Sequence, residues 1–137
     1  MLEKDGYWLA GFTDGEGTFA LDVRRRTQSG YATLFKHVHF CYKISLRADD
    51  LNALLLAREI VGAGKLQSRF PNPGSPQWTF YVNDKEGLER VIELFDAHPL
   101  RSKKARDYKI WREAFQYYWG TVPQRYSDTA LDLQPRQ

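Results

Sequence analysis

Near the N-terminus, Trp8-Leu9-Ala10-Gly11-Phe12-Thr13-Asp14-Gly15-Glu16-Gly17 combines a short helical run, small residues where a surface helix usually carries bulk, and two carboxylates at its end. At about 100° per residue, Trp8, Leu9 and Phe12 share a bulky face suited to packing on the chain's own core. Tyr7, Ala10, Gly11, Asp14 and Gly15 fall on the other side, which is mostly bare. Glycine inside a helix costs roughly 1 kcal/mol against alanine, so two glycines on one face need a reason. The simplest is the close approach of another backbone, as in small-residue helix contacts. The acids pose a second problem, because a helix C-terminus carries partial negative charge and disfavours them. Asp14 and Glu16 make sense there if a cation neutralises them; a short amphipathic helix ending at a glycine cap and a turn is the plainer alternative.

Length and composition limit the frame around this stretch. A chain of 137 residues fits one domain with a real core, and 42% hydrophobic residues argue against disorder throughout. The chain has no run of 18 apolar residues and its N-terminus does not read as a signal peptide, which predicts a soluble intracellular protein, in the bacterial cytoplasm or an organelle. Cys41 is the single cysteine, so an internal disulfide or a cysteine-rich zinc site is excluded. The net charge of +3 is modest, but it is unevenly spread. Residues 18–47 and 64–82 hold eight Lys/Arg against one acid, Asp22, and residues 101–112 hold six against one. A basic sheet beside acidic helices is the footprint expected for a polyanion partner.

Along the chain, Thr18 to Arg26 alternates, with Phe19, Leu21 and Val23 on one face and Thr18, Ala20, Asp22, Arg24 and Arg26 on the other. After a turn at Gln28-Ser29-Gly30, the run Leu34 to Arg47 repeats the pattern. Val38, Phe40, Tyr42, Ile44 and Leu46 point inward; His37, His39, Cys41, Lys43, Ser45 and Arg47 point outward. Asp49 and Asp50 offer a helix cap, Leu51, Leu54, Leu55, Arg58 and Val61 follow at helical spacing, and Gly62 and Gly64 end that helix. A second hairpin spans Lys65 to Phe70 and Gln77 to Val82, joined through Pro71-Asn72-Pro73-Gly74. Leu66, Phe70, Trp78, Phe80 and Val82 are its inward set. Asn83 with Glu86 reads as a variant capping box before the stripe Leu88, Val91, Ile92, Phe95, and His98-Pro99 breaks that helix. Ser102 to Trp119 forms a last helix with Tyr108, Trp111, Phe115 and Tyr118 on one face, a stripe that reads as core. The single domain covers residues 1–119, and residues 120–137 read as a polar, loosely held tail.

The segment Leu9 to Gly17 resembles the motif of the LAGLIDADG homing endonucleases, with Phe12 and Thr13 replacing Leu and Ile and Gly15-Glu16-Gly17 ending the motif. The element order, α-β-β-α-β-β-α with a final helix appended, is the one this resemblance implies. It predicts an α+β fold: a four-stranded antiparallel saddle over DNA with helices on one face. One motif in one chain implies a homodimer packed through the motif helix, with Tyr7, Ala10, Gly11, Asp14 and Gly15 at the interface. It further implies a long, roughly palindromic target, cleaved in both strands across the minor groove to leave short 3′ overhangs.

Phosphodiester hydrolysis needs a metal to polarise the phosphate and activate water, and carboxylate oxygens hold Mg²⁺. One carboxylate makes a poor site, and two motif helices about a twofold would bring two Glu16 side chains together. The resemblance assigns Glu16 to the cation, with the Gly15 carbonyl contributing, and Mn²⁺ or Ca²⁺ able to occupy the same place. Asp14 is expected to support the helix end instead. The resemblance also places two basic residues near the scissile phosphates: Lys43, outward on the second strand, and Lys103 before the last helix, for which Lys104 is an alternative. The expected DNA-reading face is Arg24, Arg26, His37, His39, Arg47, Lys65, Gln67, Arg69, Gln77, Thr79 and Tyr81. His37 and His39 lack a third ligand for zinc, and His98 reads as a turn residue. Three other functions fit the pattern: a non-cleaving DNA-binding protein, an RNA maturase assisting intron splicing, and an α+β interaction domain dimerising through its glycine helix.

Overall fold

The computed structural model describes residues 2–27, 34–70 and 74–120, with the side chains of residues 24–37 outside that description. The chain runs α1 (Glu3–Glu16), β1 (Gly17–Thr27), β2 (Leu34–Arg47), a 3₁₀ turn (Ala48–Asp50), α2 (Leu51–Val61), β3 (Lys65–Arg69), β4 (Gln77–Val82), α3 (Lys85–Ala97) and α4 (Lys104–Phe115), closed by a π turn (Gln116–Gly120). This is the expected α+β order. The four strands form one antiparallel sheet in the order β1-β2-β4-β3. Among the described side chains of β2 the inward set is as expected: Phe40, Tyr42 and Ile44 are buried, and Val38 and Leu46 pack at the edges of the same core.

The helices cover one face of the sheet because each brings an apolar stripe to it: Leu9 and Ala10 from α1, Leu54, Ala57 and Val61 from α2, Leu88, Val91, Ile92 and Phe95 from α3, and Tyr108, Trp111 and Phe115 from α4. Aromatic rings dominate the contact between β1 and α4. Phe19 lies 5.2 Å from the Tyr108 ring and 5.1 Å from that of Trp111, and the indole N–H of Trp111 donates to the Ala20 carbonyl at 2.9 Å. Gly62 ends α2 in the left-handed region (φ 79°), where a side chain would be strained.

Several expectations are corrected. The buried face of α1 is Gly6, Leu9, Ala10 and Thr13, so Trp8 stands half-exposed against Phe12 at 5.0 Å instead of facing the core. Ala10, expected on the bare face, is only 3% exposed, because the core reaches one residue further round the helix. Leu21 and Val23 are 43% and 55% exposed because β1 is an edge strand, whereas their partners Phe40 and Val38 on β2 pack on the core. Phe70 is 71% exposed because β3 ends at Arg69, and Leu55 lies on the solvent side of α2. The α3 cap is Asp84, whose carboxylate accepts the Gly87 N–H at 2.9 Å, one residue beyond the expected Asn83. Neither Asp49 nor Asp50 caps α2 with its side chain; the 3₁₀ turn feeds the helix directly. The expected tail, apart from Gly120, lies outside the described residues.

Candidate active site and nucleic-acid interface

Glu16 is the last residue of α1, and its side chain is exposed. The Gly17 N–H closes the helix on the Thr13 carbonyl, and the carbonyls of the final turn, Gly15 among them, have no amide partner within the helix. A carboxylate and peptide oxygens at a negative helix end are the hard donors that Mg²⁺ takes. Among the described residues no three His, Cys, Asp or Glu gather into a metal-holding group. The donors at this helix end suit a divalent cation in kind, but they are too few in one chain to hold it alone.

Asp14 is committed elsewhere. Its carboxylate accepts the Arg101 N–H on both oxygens (3.1 and 3.0 Å), the Ser102 N–H at 2.9 Å and the Ser102 hydroxyl at 2.7 Å. Partial burial works against the charged form, but the hydrogen bonds from Ser102 and Arg101 outweigh it and hold the carboxyl below its ordinary range. With both oxygens facing donors, Asp14 supports the segment before α4, in line with the supporting role expected of it.

The outward side of α1 is open. A Cβ built on Gly11 or Gly15 would meet nothing within 4 Å. Tyr7, Ala10, Gly11 and Asp14 line a depression whose other wall is Pro99, Leu100 and Arg101. Tyr7 is half-exposed and packs edge-on against His98 at 4.8 Å. His98 caps the end of α3 where the break was expected, but it is buried: its Nδ1 lies 2.9 Å from the Leu94 carbonyl, and its ring fills the notch left by Gly6.

The two lysines lie near the same end of α1. Lys43 is half-buried on β2 and pairs with Thr18, two residues beyond Glu16. Lys103 is exposed in the segment that Asp14 holds, whereas Lys104 is half-buried in the first turn of α4.

Register orders the outward face into rows across the strands. Lys43 aligns with Tyr81 and then Lys65; Ser45 with Thr79 and Gln67; Arg47 with Gln77 and Arg69. Arg47, Lys65, Gln67 and Arg69 are exposed, and Gln77 and Tyr81 are half-buried. His39, also exposed, aligns with Asp22. Thr79 departs from its expected role: it is buried, and its hydroxyl shares a 2.7 Å hydrogen bond with that of Ser45. Flanked by Ser45 and Gln67, it is screened from solvent although its strand face is the outward one. The side chains of Arg24, Arg26 and His37 lie outside the described residues, though their backbones continue the β1–β2 ladder.

Sequence reasoning missed the partner of Thr13. Its hydroxyl is fully buried, 2.7 Å from the Tyr42 phenol, and burial pushes that phenol's pKa up, only partly offset by the Thr13 hydrogen bond. Thr13 replaces an apolar motif residue and Tyr42 sits on an inward strand position; a polar group at each of two core positions was the available signal.

A family model described as LAGLIDADG endonuclease matches residues 9–115. The probable intron-encoded endonuclease Cox1-I1b of Schizosaccharomyces pombe is 26% identical over 108 residues, 79% of this chain and 26% of that protein. An uncharacterized 50.9 kDa protein in ND4 intron 1 of Podospora anserina is 30% identical over 114 residues, 80% and 23% of the two chains. The chain thus spans about a quarter of the length of these curated relatives. Among solved structures, the homing endonuclease I-TnaI superposes with a TM-score of 0.68 at 27% identity, over 80% of this chain and 70% of that one. The I-LtrWI LAGLIDADG homing endonuclease bound to target DNA gives 0.69 at 25% identity, over 80% and 35%. With the motif helix, the strand order and the family match in agreement, the chain belongs to the LAGLIDADG endonuclease family.

Proposed function

We propose that this chain is a site-specific DNA endonuclease that works as a pair of identical subunits, each placing Glu16 at a divalent-metal site between the two motif helices. The observation that carries this reading is the end of α1: an exposed carboxylate follows a helix face on which Gly11 and Gly15 have nothing within 4 Å. A second α1 laid on that face would bring the two helix ends together and supply the carboxylate that one chain lacks.

Glu16 and the Gly15 carbonyl would hold Mg²⁺, which when bound supplies phosphate polarisation and an activated water. Lys43 and Lys103 would bring positive charge to a phosphate at that metal, where negative charge develops in the transition state. The rows built on Arg47, Lys65 and Arg69 supply phosphate and base contacts from the outward face, with Arg and Gln suited to bidentate reading of guanine and adenine edges. The target is a roughly palindromic duplex matching the twofold. The nucleic-acid affinity follows from the basic face and predicts salt-dependent binding.

The test uses the full chain and a duplex carrying the uninterrupted form of the DNA that flanks its coding region. Glu16→Gln should reduce Mg²⁺-dependent cleavage by at least about a hundredfold while leaving binding in Ca²⁺ intact. Cleavage at the full rate would remove Glu16 from the mechanism. Gel filtration and cross-linking should give a dimer on DNA, and a monomer both free and bound would remove the pairing. The 35% coverage of I-LtrWI favours a second arrangement, an equivalent unit joined on one longer polypeptide. Supplying such a unit in trans to a monomeric chain would then restore cleavage.

A further inference from the structure

The segment before α4 is tied to the motif helix by one side chain from across the domain. Asp14 accepts two consecutive backbone N–H groups, those of Arg101 and Ser102, and the Ser102 hydroxyl, all within 3.1 Å. The same hydroxyl lies 3.3 Å from the Asp14 carbonyl and accepts the Lys104 N–H at 3.1 Å. Lys103 is therefore bracketed: the residue before it is fastened to Asp14, and the residue after it to that residue's hydroxyl. A lysine ammonium sits at the end of a flexible four-carbon stem, so its reach to a given phosphate is set by where its Cα is held. A shift of about 1 Å in a group that acts on a reacting phosphate can cost up to about a hundredfold in rate.

We propose that Asp14 is a positioning residue: its carboxylate fixes the Arg101–Ser102 turn against the end of α1 and thereby aims Lys103 at the phosphate served by Glu16, two residues further on. The proposal rests on the reading of Glu16 and Lys103 as catalytic. It gives the two motif acids separate tasks, one toward the metal and one toward the lysine. It also makes the far wall of the α1 depression, Pro99 to Arg101, dependent on the same carboxylate.

A double-mutant cycle in the full chain separates positioning from simple anchoring. Single-turnover cleavage of the flanking-site duplex at saturating DNA should fall about a hundredfold in Lys103→Met and about tenfold in Asp14→Asn. The double variant should be no slower than Lys103→Met alone, because a misplaced lysine and an absent one are equivalent. Half-saturating DNA and affinity in Ca²⁺ should stay within about twofold of the parent, a split that loss of fold would not produce. Ser102→Ala, which removes the hydroxyl and keeps the two N–H bonds, should lose about threefold and covers the case in which Asp14→Asn misfolds. Independently of activity, amide exchange at Arg101 and Ser102 should quicken at least about tenfold in Asp14→Asn while Phe80 and Val91 keep their protection. Losses that multiply in the double variant, or an Asp14→Asn chain that cleaves at the parent rate, overturn the proposal alone. A Lys103→Met chain that cleaves at the parent rate overturns the lysine's role and the proposal together, and Glu16→Gln cleavage at the full rate overturns the reading beneath both.

Discussion

The four glycines of the motif helix and its cap form two contrasting pairs. Gly6 and Gly17 are enclosed by their own chain: a Cβ on Gly6 would strike the His98 ring, and one on Gly17 would lie 3.0 Å from the Thr13 carbonyl. Gly11 and Gly15 meet nothing. The first pair is small because this fold leaves no room. The second pair is small although the chain leaves ample room, at a cost of roughly 1 kcal/mol for each glycine kept in place of alanine. Smallness with no local cause points outward, to something that must come as close as a backbone.

The sharpest way to break the contrast is Gly6→Ala. The notch at Gly6 holds the whole His98 ring, which is itself buried and tied to the Leu94 carbonyl. Overpacking of about 3 kcal/mol, eased by about 1 kcal/mol of helix propensity, should leave the chain about 2 kcal/mol less stable in urea unfolding. A His98→Ala companion should recover part of that loss by emptying the notch. A Gly6→Ala chain as stable as its parent would erase the distinction between the pairs.

Gly11→Ala should do the reverse. With open space around the new methyl, the chain measured as a dilute monomer should gain up to about 1 kcal/mol. The same methyl should hold two helices apart and weaken self-association by roughly tenfold, read by sedimentation over a dilution series. Gain of stability together with loss of pairing is a combination that a purely local role for Gly11 cannot give. Unchanged self-association would separate the open glycines from the dimer.

How much of this was legible in the sequence depends on how local the cause is. Period-2 alternation placed Phe40, Tyr42 and Ile44 inward because strand geometry alone decides it. The Leu88, Val91, Ile92, Phe95 stripe and the stop at Gly62 are equally local. Trp8 stands away from the core because a helix wheel gives only relative faces, and the core's position around α1 is set by residues far along the chain. Thr79 has outward register, yet neighbours on two other strands bury it. The Gly6–His98 notch and the Asp14–Ser102 bonds join positions 92 and 88 apart, measured as differences in residue number, with no periodic signal between them. The motif letters singled out Glu16 and Asp14, and only the folded chain names what Asp14 holds.

The acids of α1 repeat the contrast between the glycines: Asp14 is met by its own chain, whereas Glu16 stands exposed. Because the folded chain holds the Asp14 carboxyl below its ordinary range, the unfolded chain binds that proton more readily. The associated stability is present above the unfolded carboxylate pKa of about 3.9 and is lost as pH falls through the lower folded value. Asp14→Asn should therefore melt a few degrees below the parent at neutral pH, and the gap should close in strong acid, where the parent carboxyl is protonated too. The variant should keep part of the acid slope, because Asp96 is held low in the same way: partial burial opposes it, and the hydrogen bonds from Arg112 and Tyr108 outweigh that. Glu16→Asn supplies the comparison, since it removes an acid from the same helix end without touching the Arg101–Ser102 turn. A melting gap for Asp14→Asn that stays constant from neutral pH into acid would show that the carboxylate charge contributes nothing to holding the turn.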